Sequence, residues 1–213
     1  MKILLLGKNG QLGWELQRAL APLGEVVALG SVEADLAQPD ALAAVVRHVA
    51  PQIIVNAAAH TAVDRAESEP ALAHAVNAVA PAVLAREAAT LSAWLLHYST
   101  DYVFDGSGSM PWTEDAPTGP LNVYGASKLD GEQAIRASGC RHLILRTSWV
   151  HAARGGNFAR TMLKFAAERD TLRVVDDQVG APTGAELLAD ISAHVLRTAL
   201  QRPQVAEIGR AHV

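Results

Sequence analysis

The first thirteen residues, MKILLLGKNGQLG, decide the fold. A short apolar run leads into Gly7, Gly10 and Gly13, and a segment with helical periodicity, WELQRALAPLG, follows. Glycines between a buried strand and a helix allow backbone N–H groups to approach a pyrophosphate at the helix N-terminus. The spacing is one residue longer than the usual G-x-G-x-x-G, and an ordinary strand-to-helix turn is the alternative. The position of the glycines, at the first such turn of an alternating chain, favours dinucleotide binding.

The rest of the chain repeats this order of a short apolar run and a helical segment. Runs such as QIIVNAAA, WLLHYSTDYVF and HLILRTSWV are nearly all apolar, which is typical of parallel strands covered on both faces. Two later segments predict a strand at residues 172–178 and a last helix at residues 184–201. Pro81 predicts a kink or a break in an alanine-rich helix. We therefore predict an α/β fold with a doubly wound parallel sheet, of the Rossmann-like kind.

The composition excludes several classes of protein. The chain has 213 residues, half of them hydrophobic, and a net charge of -4 without any block of basic residues, so neither nucleic acid nor a membrane surface is the expected partner. A single cysteine, Cys140, excludes an internal disulfide, and no apolar stretch is long enough to span a bilayer. The eight histidines show no ligand spacing, so we predict no metal site. A small-molecule partner and a cytoplasmic location are expected.

The second predicted strand bears on the choice of coenzyme. It ends Leu29-Gly30-Ser31, without the acidic residue that binds the adenosine ribose of NAD. This omission leaves room for a 2′-phosphate, although no arginine lies close by in the sequence. NADPH is therefore the favoured cofactor, with NADH as the alternative.

A tyrosine and a lysine four residues apart indicate catalysis. Tyr124 and Lys128 lie on one face of a predicted helix, and Thr100 ends the preceding strand, at the edge of the sheet where ligands bind. Reduction of a carbonyl leaves charge on oxygen, which needs a proton donor beside it. Tyrosine is a weak acid, and a neighbouring ammonium group stabilises its phenolate form. The spacing predicts that Lys128 lowers the pKa of Tyr124.

These motifs resemble the extended short-chain dehydrogenase/reductase family. The resemblance includes GKNGQLGWELQRAL, VNAAAHTAVDRAESEP, HYSTDYVFDG and PLNVYGASKLDGE, and it runs from Met1 to about Ala206. The resemblance is most specific to those members that reduce the C4 ketone of dTDP-6-deoxy-L-lyxo-4-hexulose to dTDP-L-rhamnose. Other activities on the same fold, namely epimerase and dehydratase, are alternatives, as is a non-catalytic regulatory subunit like that of methionine adenosyltransferase.

The resemblance implies a role for each site residue. It assigns catalysis to Thr100, Tyr124 and Lys128, and the nucleotide-sugar pocket to Val63, Thr100, Asp101, Tyr102 and Trp149. It assigns the cofactor to Gly7, Gly10, Gln11, Leu12, Gly13, Asp35, Leu36, Ala57, Ala58, Ala59, Tyr124 and Lys128. Dehydratases carry an acid after Thr-Asp, where this chain has Tyr102.

The resemblance also sets the expected domain limits. Residues 1–207 are expected to form the dinucleotide-binding domain, with the start of a substrate-binding region at about 150–171. Family members continue beyond residue 213, so the substrate domain is expected to be incomplete and the family's homodimer is in doubt. Residues 208–213 do not resemble family sequence, and we expect a disordered, non-native tail.

Overall fold

The computed structural model describes residues 1–202 and 210–212, which form a central parallel sheet with helices on both faces. The strands are β1 (Lys2–Leu6), β2 (Glu25–Leu29), β3 (Ile53–Asn56), β4 (Trp94–Thr100), β5 (Arg141–Thr147), β6 (Val150–His151), β7 (Thr183–Gly184) and β8 (Arg210–His212). The helices are α1 (Gln11–Leu20), α2 (Pro39–Val49), α3 (Val63–Ser68), α4 (Pro70–His74), α5 (Ala80–Leu91), α6 (Val123–Ala137), α7 (Phe158–Glu168) and α8 (Ala185–Gln201).

The main sheet has the strand order β2-β1-β3-β4-β5-β8, and every pairing in it is parallel. Each face carries its own apolar core. The helices α2, α5 and α6 contribute to one core, and α1 and α8 contribute to the other. All residues of β3 and β4 are buried, which explains why their sequences are apolar rather than alternating. The predicted doubly wound fold is confirmed.

In the sheet, β2 lies on one side of β1 and β3 lies on the other. The strand order therefore reverses between β1 and β3. In such sheets a crevice opens where the connections leave in opposite directions, at the carboxyl ends of the strands. The glycine turn after β1 and the alanine turn after β3 both lie at this crevice. The topology therefore fixes the place of a ligand site before any side chain is considered.

The alanine-rich helix is interrupted before Pro81, as predicted. The segment Ala75–Val79 forms a π-helical turn between α4 and α5, and Pro81 lies in the first turn of α5. Within the π turn, Asn77 is fully buried. Its side chain accepts a hydrogen bond from the His60 backbone N–H at 2.9 Å and donates to Ser127 Oγ at 3.1 Å. The turn thus links the loop after β3 to α6.

One prediction of secondary structure is wrong. Residues 172–178 form no strand, and Val174 and Val175 are exposed. The sheet position beside β5 is taken instead by β8, which pairs with β5 from Ile144 to Arg146.

The same pairing bears on the end of the chain. The predicted disorder of residues 208–213 is wrong for Arg210–His212, which form β8. Ile208, Gly209 and Val213 lie outside the described residues, and the non-native origin of this segment stays a prediction. In the part of the chain that the structure describes, no helix has the length and apolarity needed to cross a bilayer.

Candidate active site

A cavity of about 730 Å³ opens at the crevice between the carboxyl ends of the strands. It is bounded by the turns after β1 and β3, the end of β4, the first turns of α6 and the segment around β6. Most of the predicted site residues line it, namely Gly7, Gly10, Gln11, Leu12, Ala57, Ala58, Ala59, Val63, Thr100, Asp101, Tyr102, Tyr124, Lys128 and Trp149. The structure therefore brings the predicted cofactor, catalytic and substrate residues to one place.

The glycine loop is tightly wound. Gly7 has a positive φ of 87°, and its carbonyl accepts the Gly10 N–H at 3.0 Å. A Cβ on Gly13 would lie 2.0 Å from the Gly7 carbonyl oxygen, so the start of α1 can pack here only without a side chain. Among residues 1–202 and 210–212, no side chain caps the N-terminus of α1, so its first backbone N–H groups are available to a ligand in the cavity. This arrangement fits an anionic diphosphate.

Asp35 and Leu36 line a second cavity of about 280 Å³ that shares Gly7, Gly10 and Ala58 with the first. The Asp35 carboxylate accepts the Ala37 N–H at 2.9 Å, and Leu36 is buried. Because they share these residues, the two cavities adjoin over the glycine loop.

A cation, Lys8, lies at the edge of the second cavity, although the sequence showed no arginine near the end of β2. The Lys8 amine forms an ion pair with Glu33, and the Glu33 carboxylate also accepts the Gly30 N–H at 2.9 Å. Gly30 and Ser31 line the cavity itself. Lys8 is separated from them in sequence by more than twenty residues, and only the pairing of β1 with β2 brings them together.

Thr100, Tyr124 and Lys128 meet at the floor of the larger cavity. Thr100 ends β4, and Tyr124 and Lys128 lie in the first two turns of α6. The Asn122 side chain caps this helix by accepting the Gly125 N–H at 2.7 Å. All three catalytic candidates are less than a tenth exposed. These side chains are therefore largely shielded from bulk solvent, which strengthens the hydrogen bonds that they make.

The predicted effect of Lys128 on Tyr124 is not found. Burial raises the pKa of Tyr124 to about 12, and a hydrogen-bonding interaction with the Thr100 side chain only partly offsets this rise. The Lys128 amine instead donates to the Tyr98 carbonyl oxygen at 2.6 Å and contacts His97 Nε2 at 3.2 Å. The lysine thus faces the sheet in this structure, and Tyr124 keeps its proton at neutral pH.

The predicted sugar-nucleotide residues lie on the outer side of Tyr124. The Tyr102 ring packs edge-on against the Tyr124 ring, with centroids 5.6 Å apart. The Asp101 carboxylate accepts hydrogen bonds from Thr100 Oγ1 at 3.1 Å and from Ser148 Oγ at 2.6 Å. Trp149, beside Ser148, has a positive φ of 46° and is partly exposed. Polar and aromatic groups therefore surround the opening of the cavity.

The sequence did not indicate several residues of this site. Asn56 and His97 are buried polar residues inside strands; both lie in segments that carry the family resemblance, but no role was predicted for either. Gln11 was predicted to bind cofactor, yet its side chain is also engaged with the outer segment, since it accepts a hydrogen bond from Asn157 Nδ2 at 2.8 Å. Only the spatial neighbours of these side chains reveal what they do.

Comparison with known proteins agrees with this geometry. The family model described as the RmlD substrate binding domain matches residues 1–213. The chain is also 57% identical over 210 residues to the dTDP-4-dehydrorhamnose reductase of Escherichia coli K12, an alignment that covers 97% of this chain and 70% of that protein. The chain belongs to the dTDP-4-dehydrorhamnose reductase family. The reductase of Salmonella typhimurium is similar to the same degree, with 57% identity over the same shares of both chains.

Solved structures of this reductase family have the same fold. A dTDP-4-dehydrorhamnose reductase of Bacillus anthracis in complex with NADP is 34% identical with a TM-score of 0.91, and the match covers 100% of this chain and 73% of that one. The reductase of Clostridium acetobutylicum is 37% identical with a TM-score of 0.89, covering 100% of this chain and 74% of that one. The UDP-glucose 4-epimerase of Thermus thermophilus, at 20% identity, shares the fold alone.

Proposed function

We propose that the chain reduces the C4 ketone of dTDP-6-deoxy-L-lyxo-4-hexulose to the alcohol of dTDP-L-rhamnose, with NADPH as the reductant. One observation carries this proposal: Tyr124, Thr100 and the glycine loop after β1 line a single cavity in a member of the dTDP-4-dehydrorhamnose reductase family. An acid, a hydrogen-bonding hydroxyl and a diphosphate site are the groups that ketone reduction by a dinucleotide requires.

The residues present fit NADPH. The uncapped N-terminus of α1 offers N–H groups to the diphosphate, and Ala57 to Ala59 leave space for close passage. Lys8, which is paired with Glu33 beside the Gly30-Ser31 turn, is the cation available to a 2′-phosphate. When bound, NADPH supplies a hydride to the ketone carbon.

The protein's own groups complete the reduction at the oxygen. On substrate binding, the Thr100 hydroxyl turns its one hydrogen from the Asp101 carboxylate to the ketone oxygen and holds that oxygen beside Tyr124, whose hydroxyl gives it a proton. Because burial raises the pKa of Tyr124 to about 12, the tyrosine is protonated when the substrate arrives, as a proton donor must be. Tyr124 then regains a proton from solvent before the next turnover.

The sugar nucleotide is held by the groups around Tyr124. We assign Val63, Asp101, Tyr102 and Trp149 to this task, since all four line the cavity at its outer side. Asp101 is oriented by Ser148, so its carboxylate keeps one position as substrate enters. The aromatic rings of Tyr102 and Trp149 exclude water from the reacting oxygen.

An assay with the chain as it stands tests the proposal. NADPH absorbance is followed with and without the 4-keto dTDP sugar, the product is identified by NMR, and NADPH binding is measured separately by fluorescence. Oxidation of NADPH that depends on the ketone and yields dTDP-L-rhamnose is the expected result. Tight NADPH binding with no oxidation under any substrate concentration contradicts the proposal. Conversion of the sugar without net loss of NADPH indicates an epimerase instead.

A further inference from the structure

His97 is a fully buried histidine between the two halves of the site. It lies on β4, three residues before Thr100, and it is 1% exposed. One ring nitrogen, Nε2, lies 3.2 Å from the Lys128 amine, and the other, Nδ1, lies 3.1 Å from the Asn56 side-chain amide. The imidazole therefore connects the catalytic helix α6 to the end of β3, where the cofactor turn begins.

Asn56 determines which of these nitrogens carries the proton. Its Oδ1 accepts the Ala58 N–H at 3.2 Å, which turns its NH₂ group toward His97. An NH₂ group can only donate, so His97 Nδ1 must be the acceptor and Nε2 must carry the hydrogen. His97 is neutral, because an imidazolium would direct a second hydrogen from Nδ1 at the Asn56 NH₂ group, and burial also holds its pKa well below the usual value.

This tautomer conflicts with a charged Lys128. An ammonium group has no lone pair, so it cannot accept the hydrogen that His97 Nε2 directs at it. A neutral amine can accept it and still donate to the Tyr98 carbonyl oxygen at 2.6 Å. Every polar contact of the network is satisfied only when Lys128 has lost its proton.

The other groups around Lys128 do not remove this conflict. Burial lowers the pKa of Lys128 to about 8, and the charge of Glu132 acts in the opposite direction. Glu132, however, is paired with Arg146 and with Arg136, which reduces its effect on the lysine. Tyr124, on the same helix, is protonated.

We propose that His97, held in its Nε2–H tautomer by Asn56, is a positioning residue that biases Lys128 toward its neutral form and so makes this lysine titrate within the working pH range. The purpose of this bias rests on the proposed function. When the pH is near the pKa of Lys128, its amine can gain or lose a proton as an anionic cofactor binds or leaves. The inference about the tautomer and the lysine itself rests only on the hydrogen-bond geometry.

Two measurements on the unmodified chain test the proposal without reference to turnover. The ¹⁵N shifts of the His97 ring are expected to show the hydrogen on Nε2, and a hydrogen on Nδ1 overturns the inference. The chain has four lysines, Lys2, Lys8, Lys128 and Lys164, so ¹³Cε labelling resolves Lys128. Its resonance is expected to titrate clearly below those of the other three, and titration together with them contradicts the proposal.

Two variants then test whether the hydrogen bond from His97, and not burial alone, lowers the pKa of Lys128. Asn56→Asp accepts a hydrogen from Nδ1 and converts Nε2 into an acceptor, and His97→Gln offers an oxygen to the lysine. Each is expected to raise the pKa of Lys128 by about one unit or more, because the ammonium form gains a partner. His142→Gln on β5, which contacts the Cys140 carbonyl, is the matched control and leaves Lys128 unchanged. An unchanged Lys128 pKa in both folded variants refutes the proposal.

The pH dependence of NADPH binding connects the network to the cofactor. Lys128 is charged below its pKa, so NADPH affinity is expected to fall as the pH rises through that value, and His97→Gln moves this fall to higher pH. A Lys128 resonance that shifts as expected in a chain that does not reduce the sugar would leave this inference intact and reject the proposed function alone.

Discussion

Gly180 lies directly against the Trp149 ring, such that a Cβ at position 180 would be 2.6 Å from Trp149 Cε2. Trp149 is itself held in a left-handed backbone conformation at the opening of the cavity. The segment after α7, which contains no regular secondary structure before β7, therefore determines where this aromatic ring stands.

Gly180→Ala is expected to displace the Trp149 ring. The KM for the sugar nucleotide should rise on the order of tenfold while kcat changes less, because the proposed role of the ring is to hold the sugar nucleotide and not to act on the reacting oxygen. Steady-state kinetics at saturating NADPH measure both constants. Gly184→Ala is the control, since a Cβ there meets only an ordinary contact at 4.0 Å. Equal KM and kcat values in the two variants would show that Gly180 does not control the position of the Trp149 ring.

Tyr124→Phe is expected to lower kcat by about 100-fold to 10,000-fold, the usual contribution of a general acid. The phenyl ring keeps the edge-on contact with Tyr102, so the fold and NADPH binding should be preserved. Single-turnover oxidation of NADPH measures the chemical step, and fluorescence measures binding. Near-normal turnover would show that another group protonates the oxygen.

Lys8→Met is expected to weaken the binding of NADPH on the order of tenfold and the binding of NADH much less, because one charge-assisted contact to a 2′-phosphate is lost. Fluorescence titration with each coenzyme gives the two dissociation constants. Lys164→Met, on the exposed helix α7, removes the same charge away from the cavities and serves as the control. A parallel loss of affinity for both coenzymes would exclude Lys8 from the choice between them.

Glu132→Gln is expected to destabilise the fold by about 3 kcal/mol, since it leaves the buried Arg146 guanidinium without its carboxylate. Burial is the largest single influence and acts to raise the pKa of Glu132, but the hydrogen bonds from Arg146 and Ser99 and the charges of Arg146 and Arg136 together lower it. A lowered pKa means that the stabilisation is complete above the ordinary value of 4.5 and is lost as the pH falls below it.

Urea unfolding of both proteins across this acidic range measures the effect. The difference in the free energy of unfolding should be largest near neutral pH and should shrink as Glu132 is protonated. A difference that does not depend on pH would assign the loss to packing alone.

The sequence predicted the sheet and the cavity because both depend on local patterns. Runs of buried apolar residues encode parallel strands, and Gly7 to Gly13 encode the loop by their need for close packing. The positions of Thr100, Tyr124 and Lys128 followed from chain order alone, because β4 and α6 are consecutive elements that meet at one edge.

The remaining features depend on partners that are distant in sequence. The direction of the Lys128 amine is set by His97 and Asn56, and no local pattern distinguishes these residues from other buried polar side chains. Residues 172–178 have an apolar pattern that suits a strand, but pairing is decided by which segment reaches β5. The cation beside Gly30 was missed for the same reason, since Lys8 reaches it only through the pairing of β1 with β2.

The π turn at Ala75–Val79 makes the length of its helix critical. A π turn contains one more residue than an α turn, so deletion of a single residue there would restore ordinary helical winding and remove the bulge that carries Asn77. Asn77 would then leave His60 and Ser127, and its carbonyl would no longer lie against Gly131. The extra residue of the π turn thus places one buried amide where it joins the loop after β3 to α6.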